Sequence, residues 1–435
     1  MPDLTAEILP QLQSHRLPGL DLGEGLIHPC YAGLSLANIP ASIPGWLGAD
    51  PVPGPVLPPL DARIHDRLQA EYQTVVLFLV DGLGWLDFPR LVGEWSREFP
   101  ALAAWPRLLE NGLLAPLTSI ALSTTSAALT SLWTAAAPSQ HGVLAYEQYL
   151  KEYQLTANMI SHSAASYAGD VGGLARAGFL AQDFLPVSVL GEHLAGAGVP
   201  AYAFQHLSIA RSGLSTMLLR GAEVNPFRNL SDLWVSLEGM LQAHRAERKY
   251  VYAYWGDVDE LSHRYTPRDE RVAMEFATFS QGFDRFLRRL PSLTTGRTLV
   301  LVTADHGLMP TPIRPELEMK RHPAFLDHLS MLPTGEGRLP FLYVHPGHEE
   351  AVREYIARAW PGRFRLLNAA EALAKGLFGP LPAYQRVAER LGDWLVIPQG
   401  DDYFYREMRK ENSMLARHGG FSPQEMLIPL MAFEV

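Results

Sequence analysis

The sequence predicts an α/β protein, with a mostly parallel central sheet, helices on both faces and a smaller α+β cap inserted late in the chain. Three observations carry this. The run TVVLFLV (74–80) is continuously apolar, β-branched and of strand length, as expected of a strand buried on both faces of a parallel sheet. Similar runs recur at Tyr250–Trp255 and Thr298–Thr303, with helical stretches such as 268–290 between strands. The chain of 435 residues, 47% hydrophobic and 19% charged, is long enough for a large core.

The elements follow in order. Eleven of the 34 prolines fall in the first 60 residues, and the run Pro51–Pro59 is extended by necessity. Residues 1–70 are therefore expected to wrap the surface, and 71–307 to form the α/β core. Ala201–Phe204 is a weaker strand candidate, since Pro200 is tolerable only at a strand's entrance. Beyond Gly307 the pattern loosens, with prolines at 310, 312, 315, 323 and 333. A short strand (Phe341–His345), a helix (Glu349–Trp360) and another strand (Trp394–Ile397) read as an inserted cap over 308–417. MLIPLMAF (426–433) then reads as a last strand, with 418–435 returning to the core.

Charge and cysteine content exclude whole classes. A net charge of -10 offers no broad surface for a nucleic-acid polymer, although a local cationic site could still take a small anion. With Cys30 alone there is no intramolecular disulfide and no cysteine-rich metal site. The opening MPDLTAEILPQLQ has no basic flank or apolar core of a signal peptide, so a cytoplasmic protein is expected. From Asn111 to Tyr146 there is no Asp, Glu, Lys or Arg, but Pro116, Pro138 and many hydroxyl residues make this a buried segment, not a membrane span.

In open α/β sheets, ligand sites gather at the carboxyl ends of the strands. Asp81 follows the first core strand, Asp259 follows YVYAYW, and Asp305-His306 follow TLVLVT. A single carboxylate there is commonly a helix cap. Three on one edge would repel one another without a cation, which favours metals. Asp259 and His263 are spaced i, i+4 and can share an ion from one helix face. Asp257 would point elsewhere and reads as a supporting residue or a cap. His418, just before the last strand, supplies a further imidazole. The stretch LTSIALSTTSAALTSLWT reads as strand, hydroxyl-rich turn and helix. It leaves Thr124 or Thr125 at a helix N-terminus, where free N–H groups favour an anion. Gly82-Leu-Gly84 fails as a dinucleotide fingerprint because Asp87 stands where the third glycine belongs, and no Walker A, G-x-S-x-G or H-E-x-x-H motif occurs.

Together the segments LVDGLGW (79–85), LSTTSAALTSLWTAAAPSQHG (122–142), YWGDVDELSHRYTP (254–267), VTADHGLM (302–309) and ARHGGFSPQEMLIPL (416–430) resemble the alkaline phosphatase superfamily, most closely its nucleotide pyrophosphatase/phosphodiesterase branch. The resemblance implies an alkaline phosphatase-like fold and two divalent metal ions, normally zinc, with manganese the alternative. One site would use Asp259, His263 and His418; the other Asp81, Asp305 and His306, completed by the Thr125 hydroxyl. It also implies a small anionic phosphoester substrate and Thr125 as the nucleophile, chosen over Thr124 by its register with His141-Gly142, through a phosphothreonine intermediate.

One position departs from the pattern. Nucleotide-cleaving members carry an Asn shortly after His-Gly that hydrogen-bonds a phosphate oxygen, and this chain has Tyr146 followed by Glu147. Tyr146 could donate in its place, and Arg211 and the Lys320-Arg321-His322 cluster, read as a lid, are further candidate substrate contacts. The resemblance favours phosphodiesters or nucleotide pyrophosphates. A phosphomonoesterase, a phosphonate hydrolase and a metal-stabilised binding protein without activity stay open as alternatives.

Overall fold

The computed structural model describes residues 3–69, 71–167 and 169–435. Its larger sheet has seven strands in the order Leu113–Thr118, Leu427–Glu434, Thr298–Thr303, Thr74–Val80, Lys249–Trp255, Ala201–His206 and Ala222–Phe227. Thr74–Val80 pairs in parallel with both neighbours, and every residue of the three central strands is buried. Continuous apolar runs become central strands because neither face meets water. Leu427–Glu434 alone runs against the rest, slotted antiparallel between Leu113–Thr118 and Thr298–Thr303.

Aromatic rings fix the helices on both faces. Phe78 on the central strand meets Phe279, Phe283 and Phe286 of the helix Glu270–Leu293, with ring centroids 6.1, 5.6 and 5.5 Å away. On the other face the fully buried helix Thr125–Thr134 sets Trp133 5.3 Å from Tyr252 and 5.9 Å from Tyr250. Such pairs add about 0.5–1.5 kcal/mol each beyond the area they bury. Trp133 anchors the far end of the Thr125–Thr134 helix on the sheet, while Thr125 at its start lies beside Asp81.

The N-terminal segment does more than wrap. It forms helices Thr5–Ser14 and Ile39–Trp46, the second with Pro40 in its first turn, where a missing N–H does no harm. Leu4, Ile8, Leu12, Ile43 and Trp46 are fully buried in the main core. The proline-rich run itself lies between regular elements.

The insertion also differs from its expected bounds. A second, antiparallel seven-stranded sheet runs Phe364–Asn368, Trp394–Pro398, Leu339–Leu342, Thr334–Glu336, Glu147–Leu150, Leu155–Asn158 and Ser163–Ala164. Three of these strands come from 147–164, well before residue 308, because a hairpin from the core edge completes the insertion's sheet. The strand expected at Phe341–His345 lies at Leu339–Leu342. A separate aromatic core around Phe325, Trp360 and Phe404 supports the far side.

One buried ion pair ties this sheet to the returning chain. Arg338, between two strands of the insertion, donates to Glu425 Oε1 from Nε at 2.9 Å and to Oε2 from Nη2 at 2.8 Å. Glu425 also accepts from Gly420 N and Ser422 Oγ, holding the loop that leads into the last strand. Among the described residues no helix is long and apolar enough to cross a membrane. Replacing Arg338 by Met leaves Glu425 charged and buried without its partner, so stability should fall by about 3–5 kcal/mol, read as a lower denaturant midpoint. The double replacement Arg338→Met with Glu425→Met should recover part of that loss.

Candidate metal centre

The three central strands end side by side, and each delivers a carboxylate to the same edge. Asp81 follows Thr74–Val80, Asp259 sits in the first turn of the helix Asp257–Tyr265 after Lys249–Trp255, and Asp305 follows Thr298–Thr303. Glycines allow the crowding. Gly82 has φ +74°, and a Cβ there would lie 3.0 Å from Asp259 Cβ. A Cβ on Gly307, the residue after His306, would lie 2.2 Å from the Gln424 carbonyl oxygen. Both belong to the motifs that bracket the carboxylates.

Two groups of potential ligands result. Asp259, His263 and His418 bring ligand atoms within 4.8 Å of one another, and so do Asp81, Asp259 and His306. In the first group His263 Nε2 lies 3.3 Å from Asp259 Oδ2. Its Nδ1 is hydrogen-bonded to the Ala416 carbonyl (2.8 Å), and His418 Nδ1 to the Ser123 carbonyl (3.0 Å). Both imidazoles thus have Nε2 free for the site, a common way of orienting metal-binding histidines. In the second group His306 Nε2 lies 3.5 Å from Asp81 Oδ1 and 3.4 Å from Asp305 Oδ2. Asp259 therefore stands between the two groups. The His306 and His418 rings stack at 3.8 Å, so the groups adjoin.

The electrostatics of this cluster ask for cations. Asp81 Oδ1, Asp259 Oδ1 and Asp305 Oδ2 are buried and have no hydrogen-bond partner. Burial, and then the charges of Asp305 and Asp259, push the Asp81 carboxyl well above the usual carboxylate range. Burial acts the same way on Asp259, but His263 beside it, helped by His418 and His306, holds it below that range. Burial and the neighbouring His306 keep His418 strongly disposed to the neutral form, the form that binds a metal. Orphaned carboxylate oxygens beside imidazole nitrogens are the donor set of divalent transition-metal sites.

Thr125 opens the Thr125–Thr134 helix, with Thr124 as its extended N-cap. Thr125 Oγ1 lies 3.4 Å from Asp81 Oδ2 and 3.2 Å from His306 Nε2. Thr124 Oγ1 turns away and donates to Glu336 Oε1 at 2.6 Å. The two threonines so part company: one hydroxyl faces the second ligand group, the other is engaged by the insertion. His141 braces the turn, with Nε2 3.0 Å from Ser131 Oγ and Nδ1 accepting from Val143 N.

The residues singled out as substrate contacts fare differently. Tyr146 lies beside this centre, 37% exposed; its N–H donates to Glu336 Oε1 at 3.2 Å, and the Asn158 side chain lies against its phenol. Glu147 is paired with Arg406 at 3.0 Å. Arg211 is exposed on the loop after Ala201–His206 and bonds to none of the ligand side chains. His322 spends both nitrogens inside the insertion, on the Glu316 carbonyl and the Tyr355 hydroxyl, and packs on Trp360. Lys320 and Arg321 both pair with Glu318. The basic cluster is thus a braced part of the insertion, not a free cationic lid. Asp257 begins its helix and contacts none of the ligands.

Two residues escaped the sequence reading. The Tyr254 hydroxyl donates to Asp81 Oδ2; its place near the end of a core strand was the available signal. Glu336 comes from a three-residue strand of the insertion, and no local pattern marks it.

Comparison with known proteins follows the same lines. No curated protein matches the sequence. Among solved structures the chain is similar to murine ectonucleotide pyrophosphatase/phosphodiesterase 5, seen as an inactive form in complex with AMP, at 14% identity and a TM-score of 0.60, covering 82% of this chain and 87% of that one. Human ectonucleotide pyrophosphatase/phosphodiesterase 5 is similar at 13% identity, with a TM-score of 0.60 over 82% and 87% of the two chains. Phosphonoacetate hydrolase from Sinorhizobium meliloti, in complex with phosphonoacetate, is similar at 16% identity and a TM-score of 0.59, over 82% and 89%. These likenesses establish a shared fold. Residues 75–421 match the sequence model of the type I phosphodiesterase / nucleotide pyrophosphatase family, and the chain belongs to that family.

Proposed function

We propose that the protein is a metal-dependent phosphoester hydrolase of the diesterase type, with Thr125 as its nucleophile. The observation that carries this is the Thr125 hydroxyl, at the start of a buried helix and within 3.4 Å of the Asp81–His306 group. Asp259, His263 and His418 would hold one divalent ion, and Asp81, Asp305 and His306 the other. Zinc suits this mixture of carboxylate and imidazole, and manganese is the alternative. Bound there, the ions supply positive charge for the phosphoryl oxygens and favour an ionised threonine hydroxyl.

The chain's own residues then account for the rest. The start of the Thr125–Thr134 helix presents peptide N–H groups to the anionic phosphoryl oxygens. Thr125 Oγ1 attacks phosphorus, the bond from phosphorus to the leaving oxygen breaks, the leaving group departs as its alcohol with the threonine proton, and a phosphothreonine that still carries the substrate's other substituent, a diester, forms. Water then attacks the same phosphorus from the side the leaving group vacated, releasing a phosphomonoester and restoring the hydroxyl. Asp81 is kept in place for this by the Tyr254 hydroxyl, and His418 by the Ser123 carbonyl. The Arg406–Glu147 pair neutralises the carboxylate that follows Tyr146.

Thr125→Ala should lower kcat for bis-p-nitrophenyl phosphate by about a thousandfold or more while metal content and melting temperature stay near the wild-type values. A variant that still turns over at the wild-type rate would remove Thr125 from the reaction. Chelator treatment should abolish turnover and lower Tm, because the folded chain alone presents the assembled sites. Zinc or manganese should restore both, with close to two ions per chain by elemental analysis. Release of phosphate from phosphonoacetate, with no hydrolysis of the diester, would replace this reading with phosphonate cleavage.

A further inference from the structure

We infer that Glu336 makes this centre select monoanionic phosphodiesters over dianionic phosphomonoesters, by placing a carboxylate where a second phosphate charge would have to sit. The inference rests on the proposed function and names the residue that sets its preference between ester types. Glu336 is reached from the insertion, yet it touches three parts of the centre. Its Oε1 accepts from Thr124 Oγ1, next to the nucleophile, and from the backbone N–H of Tyr146. A Cβ on Gly419, the residue after His418, would lie 2.6 Å from Glu336 Cβ, which sets the side chain against the loop bearing that imidazole. The charge of Glu336 is also felt at His263. Its Oε2 takes no hydrogen bond among the described residues and is the atom left to meet a ligand.

The nearby cation offsets its charge only in part. Arg406 faces Glu336 but is already paired with Glu147 Oε2 at 3.0 Å and donates to the Pro333 carbonyl. Glu147 and Arg406 together are close to neutral as a pair, so the Glu336 carboxylate stands as the net charge on this side. Burial pushes the Glu336 carboxyl up to about 7, with the Thr124 hydrogen bond and Arg406 working the other way. At pH 8.5 it is predominantly a carboxylate, only 9% exposed.

A phosphomonoester has a second pKa of about 6, so at that pH it carries two charges over three terminal oxygens. A diester carries one charge, and its third oxygen bears an uncharged substituent. Only the monoester must therefore bring an anionic oxygen towards Glu336, and like charges held together in a partly dry site repel. A substituent hydroxyl or amine on the diester could instead donate to Oε2.

The test is the ratio of kcat/KM for bis-p-nitrophenyl phosphate over p-nitrophenyl phosphate at pH 8.5. In the wild type the ratio should exceed one; a ratio below one overturns the inference. Glu336→Gln keeps the acceptor oxygen used by Thr124 and Tyr146 but removes the charge. It should lower the ratio by about tenfold or more, mainly by raising the monoester value. Glu336→Asp keeps the charge and should preserve the preference; a loss equal to that of Glu336→Gln would assign the effect to packing and overturn the inference. A readout without turnover uses metal-loaded Thr125→Ala protein and titration calorimetry. There, adding Glu336→Gln should tighten inorganic phosphate by about tenfold, and an unchanged affinity overturns the inference. Failure of the parent reading looks different: turnover would survive Thr125→Ala, whatever stands at 336.

Discussion

Three carboxylates driven into one dry sheet edge are the constraint around which the molecule is organised. Parallel pairing of the three central strands puts Asp81, Asp259 and Asp305 side by side without any choice left to the side chains. Uncompensated, such a cluster opposes its own burial. The surroundings are built to make it tolerable: three imidazoles ring it, a tyrosine hydroxyl donates into it, and glycines let the backbones approach. Carbonyls of Ser123 and Ala416 orient two of the imidazoles, so even the loops that look irregular are tied to the cluster.

The insertion is part of this arrangement and not an ornament on it. Its sheet borrows the 147–164 strands, so it cannot be separated from the core at residue 308. Arg338 and Glu425 lock it to the loop that carries His418, and Glu336 brings a carboxylate to the residue beside Thr125. Two positions on one short hairpin, Glu336 and Arg338, thus join the outer sheet to the site. The contact beside Thr125 and the anchoring of the His418 loop therefore share a structural origin.

Much of the core was legible because burial on both faces leaves a direct mark on composition. TVVLFLV, YVYAYW and TLVLVT read as central strands and are central strands. The carboxylates were legible for the same reason, since each follows a run that had to end at the sheet edge. What escaped notice depends on partners distant in sequence. A charged triplet such as Lys320-Arg321-His322 looks available until Glu318, Glu316 and Tyr355 are seen to engage it. Short strands at 147–164 have too few residues to set a period, and prolines at 10 and 40 disguised helices that accommodate them. Glu336 has no local signature because its role comes from a contact across 212 positions.

The strand Leu427–Glu434, wedged antiparallel into an otherwise parallel sheet, has a consequence for the order in which the protein is made. His418 lies just before that strand, whereas Asp81, the first of the proposed ligands, leaves the ribosome more than three hundred residues earlier. In the folded sheet only this strand joins Leu113–Thr118 to Thr298–Thr303 among the described residues, so the sheet cannot close before it is made. Closing the sheet and completing the ligand set are thus one late event. Premature or truncated chains would carry carboxylates but no finished centre, and so would neither hold metal tightly nor act on the phosphoesters around them.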